Sequence, residues 1–115
     1  STLIDGDKKS ALSPMELLLL GTGGCACIDL VMILKKGRQK VIDAWVDIGG
    51  QRREEMPHYY TDIEMHFVVK GIGIKEKRVE NAIRLAMEKY CSASAQMAAL
   101  ATIKTSYEII EADTP

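Results

Sequence analysis

The sequence predicts one α+β domain with elements in the order αββααβ. Three observations carry this. An unbroken apolar segment is opened by Ser13-Pro14 and closed by Lys35-Lys36-Gly37. Two segments, 41–48 and 59–70, alternate apolar and polar residues at period two. A later segment, 75–90, repeats its apolar residues at helical spacing and runs into a Ser- and Ala-rich tract. With 115 residues, 47% apolar but only 5% aromatic, the chain has room for one core, built from Leu, Ile, Val, Met and Ala. A domain of this size buries roughly two-thirds of its unfolded surface.

Residues 1–12 are polar and turn-like around Asp5-Gly6-Asp7, as the trailing end of a strand and its loop would be. Ser13 is a good N-cap, Pro14 suits the first helical position, and Glu16 complements the positive helix end. Lys35 and Lys36 suit the negative end and Gly37 stops the helix. A helix over Pro14 to Lys36 is apolar on nearly all sides and is expected to be buried around most of its circumference. A small domain cannot wrap it alone, so a homodimer with this helix at or near the interface is the economical solution. The first strand, Val41 to Ile48, sets Ile42, Ala44, Val46 and Ile48 on one face and Val41, Asp43, Trp45 and Asp47 on the other. Residues 49–58 form a charged loop. The second strand, about Tyr59 to Lys70, points Ile63, Met65, Phe67 and Val69 inward and Asp62, Glu64, His66 and Val68 outward, and Gly71 and Gly73 close it. In the helix from Lys75 to Tyr90, Val79, Ala82, Ile83, Ala86, Met87 and Tyr90 form one stripe. A short helix starts near Cys91, and Lys104 to Glu111 is a final strand. The strands are expected to be antiparallel, with the helices on one face.

Composition removes several function classes. Fifteen basic and 16 acidic residues are interspersed, with net charge -1 and no basic stripe, so nucleic acid and anionic membranes are not expected partners. Met15 to Leu34 is long enough to span a bilayer, but Glu16 and Asp29 make that expensive. Three cysteines without a signal peptide or disulfide-framework spacing point to thiol chemistry or inert burial in a reducing cytoplasm. The C-x-C spacing, with His58 and His66 scattered, does not form zinc knuckles, so no metal is expected. Neither a Walker loop nor a strand–GxGxxG–helix unit is present.

The cysteines carry the interest. Cys91, at the start of a helix, lies among unpaired N–H groups that favour thiolate; Ser92 and Ser94 are placed to cap the same turn. A small buried residue at a helix joint is the competing reading. Cys25 lies well inside the long helix, after Gly21, Gly23 and Gly24, each costing about 1 kcal/mol against Ala there. Close approach of another backbone explains such glycines, and so does a ligand trough beside the Cys25 sulfur. Cys27 points to a different side of the helix and reads as packing, whereas Asp29, four residues on, shares the face of Cys25, with Thr22.

The motifs SPMELLLLGTGGC, QRREEMPHYYTDIEMHFVV and AIRLAMEKYCSAS, in this order and over essentially the whole chain, resemble the OsmC/Ohr family, the osmotically inducible and organic hydroperoxide resistance proteins. The likeness is strongest to its YhfA-like branch. The resemblance implies an intertwined homodimer with long central helices and two active sites at the interface. It implies a two-cysteine peroxidase in which Cys25 matches the peroxidatic residue and Cys91 the resolving one. It implies no bound cofactor, an external dithiol reductant and a hydroperoxide substrate. Family members usually carry about three further N-terminal strands, with an arginine supporting the thiol. These strands are nearly absent here, as in a chain truncated at its N-terminus, and Arg52 or Arg53 is the candidate to stand in. The hydroperoxide-resistance proteins also place a glutamate where this chain has Met15; Glu16 lies one residue later, about 100° round the helix. The leading expectation is a cytoplasmic organic hydroperoxide reductase forming a Cys25–Cys91 disulfide. The alternative is a non-enzymatic dimer that senses redox state or binds a small apolar ligand.

Overall fold

The computed structural model describes residues 13–112; the expected turn around Asp5-Gly6-Asp7 lies outside them. Helix α1 spans Pro14–Lys36. Its start is a reciprocal cap: Ser13 Oγ accepts from the Glu16 amide at 3.2 Å, and Glu16 Oε1 accepts from the Ser13 amide at 3.4 Å. At its end Arg38 takes the left-handed conformation (φ 63°) that usually falls to glycine. Strands β1, Lys40–Arg52, and β2, Tyr60–Ile72, form a long antiparallel hairpin. Helix α2, Glu76–Leu85, runs on into a π-helical turn, Ala86–Tyr90. The short helix α3, Ser92–Met97, and strand β3, Thr102–Glu111, complete the chain.

The sheet order is β1-β2-β3, and the second pairing differs from expectation: β3 runs parallel to β2. The reason is the connection. A chain that leaves β2, crosses the sheet through two helices and returns beside β2 re-enters in the same direction, which a tight hairpin cannot do. The sheet is therefore mixed. Ile63, Met65, Phe67 and Val69 of β2 point into the core at 0–1% exposure, as their alternation predicts. They meet Ala26, Leu30 and Leu34 of α1 and Val79, Ala82 and Ile83 of α2 in one cluster. Each large side chain buried there is worth about 1.5–3 kcal/mol.

Three local departures have identifiable causes. A register shift between Val41 and Asp43 interrupts the pleat, so Val41 packs on the core while Ile42 is left half exposed. Val68 is 2% exposed although its period points it outward; it lies on the outer face of the central strand, paired with Trp45 on one side and Glu108 on the other. Tyr90 leaves the α2 stripe because the π turn adds a residue to the helical count; the Cys91 amide donates to the Ala86 carbonyl at 2.7 Å, five residues back.

Helix α1 is long and apolar enough to cross a membrane by length and composition. In the fold it lies on the sheet, and one chain buries only a stripe of it: Thr22, Gly23, Ala26, Leu30 and Leu34. Leu18, Leu20, Ile28 and Met32 remain about half exposed or more. The burial around most of the circumference expected of the helix is thus not supplied by the chain, whose own sheet and helices cover one face.

Close packing at the hairpin end generates a stability prediction. A Cβ on Gly71 would collide with the Lys40 carbonyl oxygen and the Ile74 side chain, whereas one on Gly49 would meet nothing within 4 Å. Gly71→Ala is expected to destabilise the fold by about 1–3 kcal/mol in urea unfolding, with Gly49→Ala near neutral.

Candidate active site

The fold brings together the two cysteines that the sequence separates. Cys25 is on α1, and Cys91 occupies the N-cap of α3 in extended conformation. Their sulfur atoms and a carboxylate oxygen of Asp29 all lie within 4.8 Å of one another. Cys25 is partly exposed and Cys91 is buried. Three hydrogen bonds fix the Cys91 sulfur. It accepts from the Ser94 hydroxyl at 3.0 Å and from the Ser94 amide at 3.3 Å, and its thiol donates to the Thr22 carbonyl at 3.9 Å. The last bond ties the start of α3 to α1 one turn before Cys25.

Of the two readings of Cys91, the small buried residue at a helix joint is the one the structure bears out. Burial pushes its thiol above the ordinary range, Ser94 pulls it partly back, and neighbouring Cys25 adds to the rise. Helix α3 has only six residues, too short for its dipole to overcome desolvation. Cys27 is apart from the pair, and its thiol is also pushed up, by burial first and then by the negative charge of Asp43.

The supporting residues fall in different places. Asp29 joins the thiol pair, and its Oδ2 is closed off from solvent with no hydrogen-bond partner. Glu16 serves the helix cap. Arg52 donates to the His58 carbonyl at 2.6 Å. Arg53 donates to the carbonyls of Glu55, Met56 and Pro57 and lies 4.6 Å over the Tyr59 ring, so both arginines tie down the 53–59 loop.

The glycines divide as well. Gly23 is a packing residue, not part of a trough: a Cβ there would sit 3.2 Å from Ile48 Cδ1 and 3.3 Å from Val46 Cγ1. Added Cβ atoms on Gly21 and Gly24 would meet nothing within 4 Å. A cavity toward the other end of α1 reaches the thiols only through Asp29, whose carboxylate approaches both sulfurs. It holds about 160 Å³ and is lined by Asp29, Met32, Ile33, Lys36, Leu85 and Tyr90. Sequence reasoning missed these lining residues, although 25, 29, 32, 33 and 36 share one helical face. A larger, more polar cavity of about 530 Å³ is lined by Ser94, with Glu80, Arg84 and Glu88 on its walls. Each cavity reaches the thiol pair through one neighbour, Asp29 for the smaller and Ser94 for the larger.

Two cysteine sulfurs brought together under a long helix laid on a mixed three-stranded sheet mark the α+β domain of one family. The chain belongs to the OsmC-like protein family, whose sequence model matches residues 6–106. It is 44% identical over 111 residues to Protein YhfA of Escherichia coli K12, covering 96% of this chain and 83% of the relative. A crystal structure from Aquifex aeolicus VF5 superposes with a TM-score of 0.85 at 39% identity, over 91% of this chain and 79% of that one. The organic hydroperoxide resistance protein OsmC of Legionella pneumophila shares the fold, with a TM-score of 0.71 at 15% identity over 88% and 72% of the two chains.

Ser94 is the group that opposes the rise of the Cys91 thiol. Ser94→Ala should therefore move the Cys91 titration further up and slow its alkylation at neutral pH by roughly three- to tenfold, in a chain with Cys25 and Cys27 replaced. An unchanged midpoint would show that the hydroxyl does not act on the sulfur.

Proposed function

We propose that the protein is a thiol-dependent peroxidase that reduces organic hydroperoxides to alcohols. The observation that carries the reading is the approach of the Cys25 and Cys91 sulfurs to one another, with Asp29 linking them to a mainly apolar recess. Cys25, the more exposed thiol, attacks the terminal peroxide oxygen as thiolate. The O–O bond breaks, the alcohol departs with a proton, and Cys25 becomes a sulfenic acid. Cys91 then displaces hydroxide from that sulfur, which leaves as water, and the disulfide forms. A bridge needs about 2.05 Å between sulfurs, so side-chain rotation must close the remaining gap. An external dithiol restores both thiols by exchange.

The recess lined by Met32, Ile33, Leu85 and Tyr90 suits an alkyl group and favours organic over hydrogen peroxide. The name of the Legionella relative supports the substrate class. The proposed working form is a cytoplasmic homodimer in which a second copy covers the exposed side chains of α1. Burial of Leu18, Leu20, Ile28 and Met32 would supply the driving force.

Reduced protein mixed with cumene hydroperoxide and a dithiol should consume the peroxide, with a Cys25–Cys91 bridge found by mass spectrometry. Cys25→Ser should abolish turnover, and intact thiols without turnover would sink the proposal. A bridge that forms without turnover would point to a redox sensor. Because the Cys91 thiol is raised, bridge formation should quicken about tenfold per pH unit below its titration. A sulfenic acid on Cys25 should accordingly be trapped more fully at low pH.

A further inference from the structure

Asp29 stands at the thiols, yet the peroxidase cycle leaves it idle. Its Oδ2 is buried without a hydrogen-bond donor, and a carboxylate oxygen of the same residue lies within 4.8 Å of two sulfur atoms. Buried carboxylate oxygens are almost always satisfied by a donor or a cation. No ion pair holds Asp29 among the described residues, although Lys36 lines the same cavity.

We infer that the reduced protein binds one divalent cation of the zinc class between Cys25 Sγ, Cys91 Sγ and the Asp29 carboxylate. The donor set selects the metal: two sulfurs exclude hard cations such as magnesium and calcium, and two sulfurs with one oxygen suit tetrahedral zinc. Zinc–sulfur bonds of about 2.3 Å and a zinc–oxygen bond of about 2.0–2.2 Å place the ligand atoms of a tetrahedron roughly 3.5–3.8 Å apart. Three atoms already within 4.8 Å of one another need only small side-chain rotations to reach that shell. Two of the ligands stand one turn apart on a single helix and the third is held by Ser94, so little ordering remains. Water completes the fourth position.

On binding, each thiol gives its proton to solvent, and two metal–sulfur bonds and one metal–oxygen bond form; no group changes oxidation state. Disulfide formation uses the same sulfur electron pairs, so the bridge and the ion exclude one another. The ion thus guards the reduced pair, and oxidation releases it. Metal binding shares the thiols of the peroxidase reading without depending on that reading.

The test is an anaerobic titration of the reduced chain with Co²⁺, followed by displacement with Zn²⁺. Expected are one ion per chain, a thiolate-to-cobalt charge-transfer absorption with tetrahedral ligand-field bands, and release of two protons. Asp29→Asn should weaken binding about tenfold to hundredfold. Cys27→Ser should change nothing, and the oxidised, bridged protein should bind no ion. Cys91→Ser should lose the tight site while keeping its circular dichroism; if it does not fold, Cys25→Ser gives the same readout. No charge-transfer band, dependence on Cys27, or undiminished binding by Asp29→Asn would overturn the inference. Hydroperoxide turnover on the metal-free samples reads the peroxidase separately, so either idea can fail alone.

Discussion

The contact of Gly23 with Val46 and Ile48 decides where the rest of the molecule lies. A side chain there would hold α1 off β1; without one, the helix lies close to the sheet at its midpoint. From that point Ala26, Leu30 and Leu34 enter the core at successive turns, all at 0–1% exposure. Two residues past the contact, Cys25 is carried round to the side facing α3, and Asp29 follows on the same face. The glycine cost in helix propensity, about 1 kcal/mol, is the local penalty for a helix placed close enough to share its Thr22 carbonyl with Cys91.

Much of this was legible in the sequence, for reasons that can be named. The bounds of α1 follow from Ser13, Pro14, Glu16 and Gly37, because capping is a local interaction. The inward set of β2 follows from its strict alternation. What was illegible depends on distant partners. The direction of β3 is set by the route of the chain through α2 and α3, not by any residue in β3. The exposure of Ile42 depends on a bulge against β2, and the burial of Val68 on its neighbours across both flanking strands. At the site, the i, i+4 spacing of Cys25 and Asp29 announced their shared face. The sequence alone could not place the recess, since Leu85 and Tyr90 reach it from α2 and the π turn.

The electrostatics of the thiol pair illustrate the same division. Position at a helix start favours a thiolate at Cys91, and in a longer helix that preference would count for more. Burial outweighs it because α3 is so short, and the sulfur depends on two donors from Ser94 for its remaining anion stabilisation. The pair is therefore asymmetric: a partly exposed sulfur on α1 and a shielded, reluctant one on α3. Arg52 and Arg53, the candidates to supply positive charge, instead hold the carbonyls of the loop between β1 and β2.

The π turn at Ala86–Tyr90 sets the aim of Cys91 and is itself part of the core. Val79, Ala82 and Ile83 pack before the turn begins, and within it Ala86 is fully buried and Met87 packs against the same cluster. A chain that lost one residue from this turn would relax it to an ordinary helical one and swing the next side chain by about 100°. The sulfur would lose its partner, and buried Ala86 and core-packed Met87 would move with the turn. The pairing of the thiols and part of the interior thus rest on the same single extra residue.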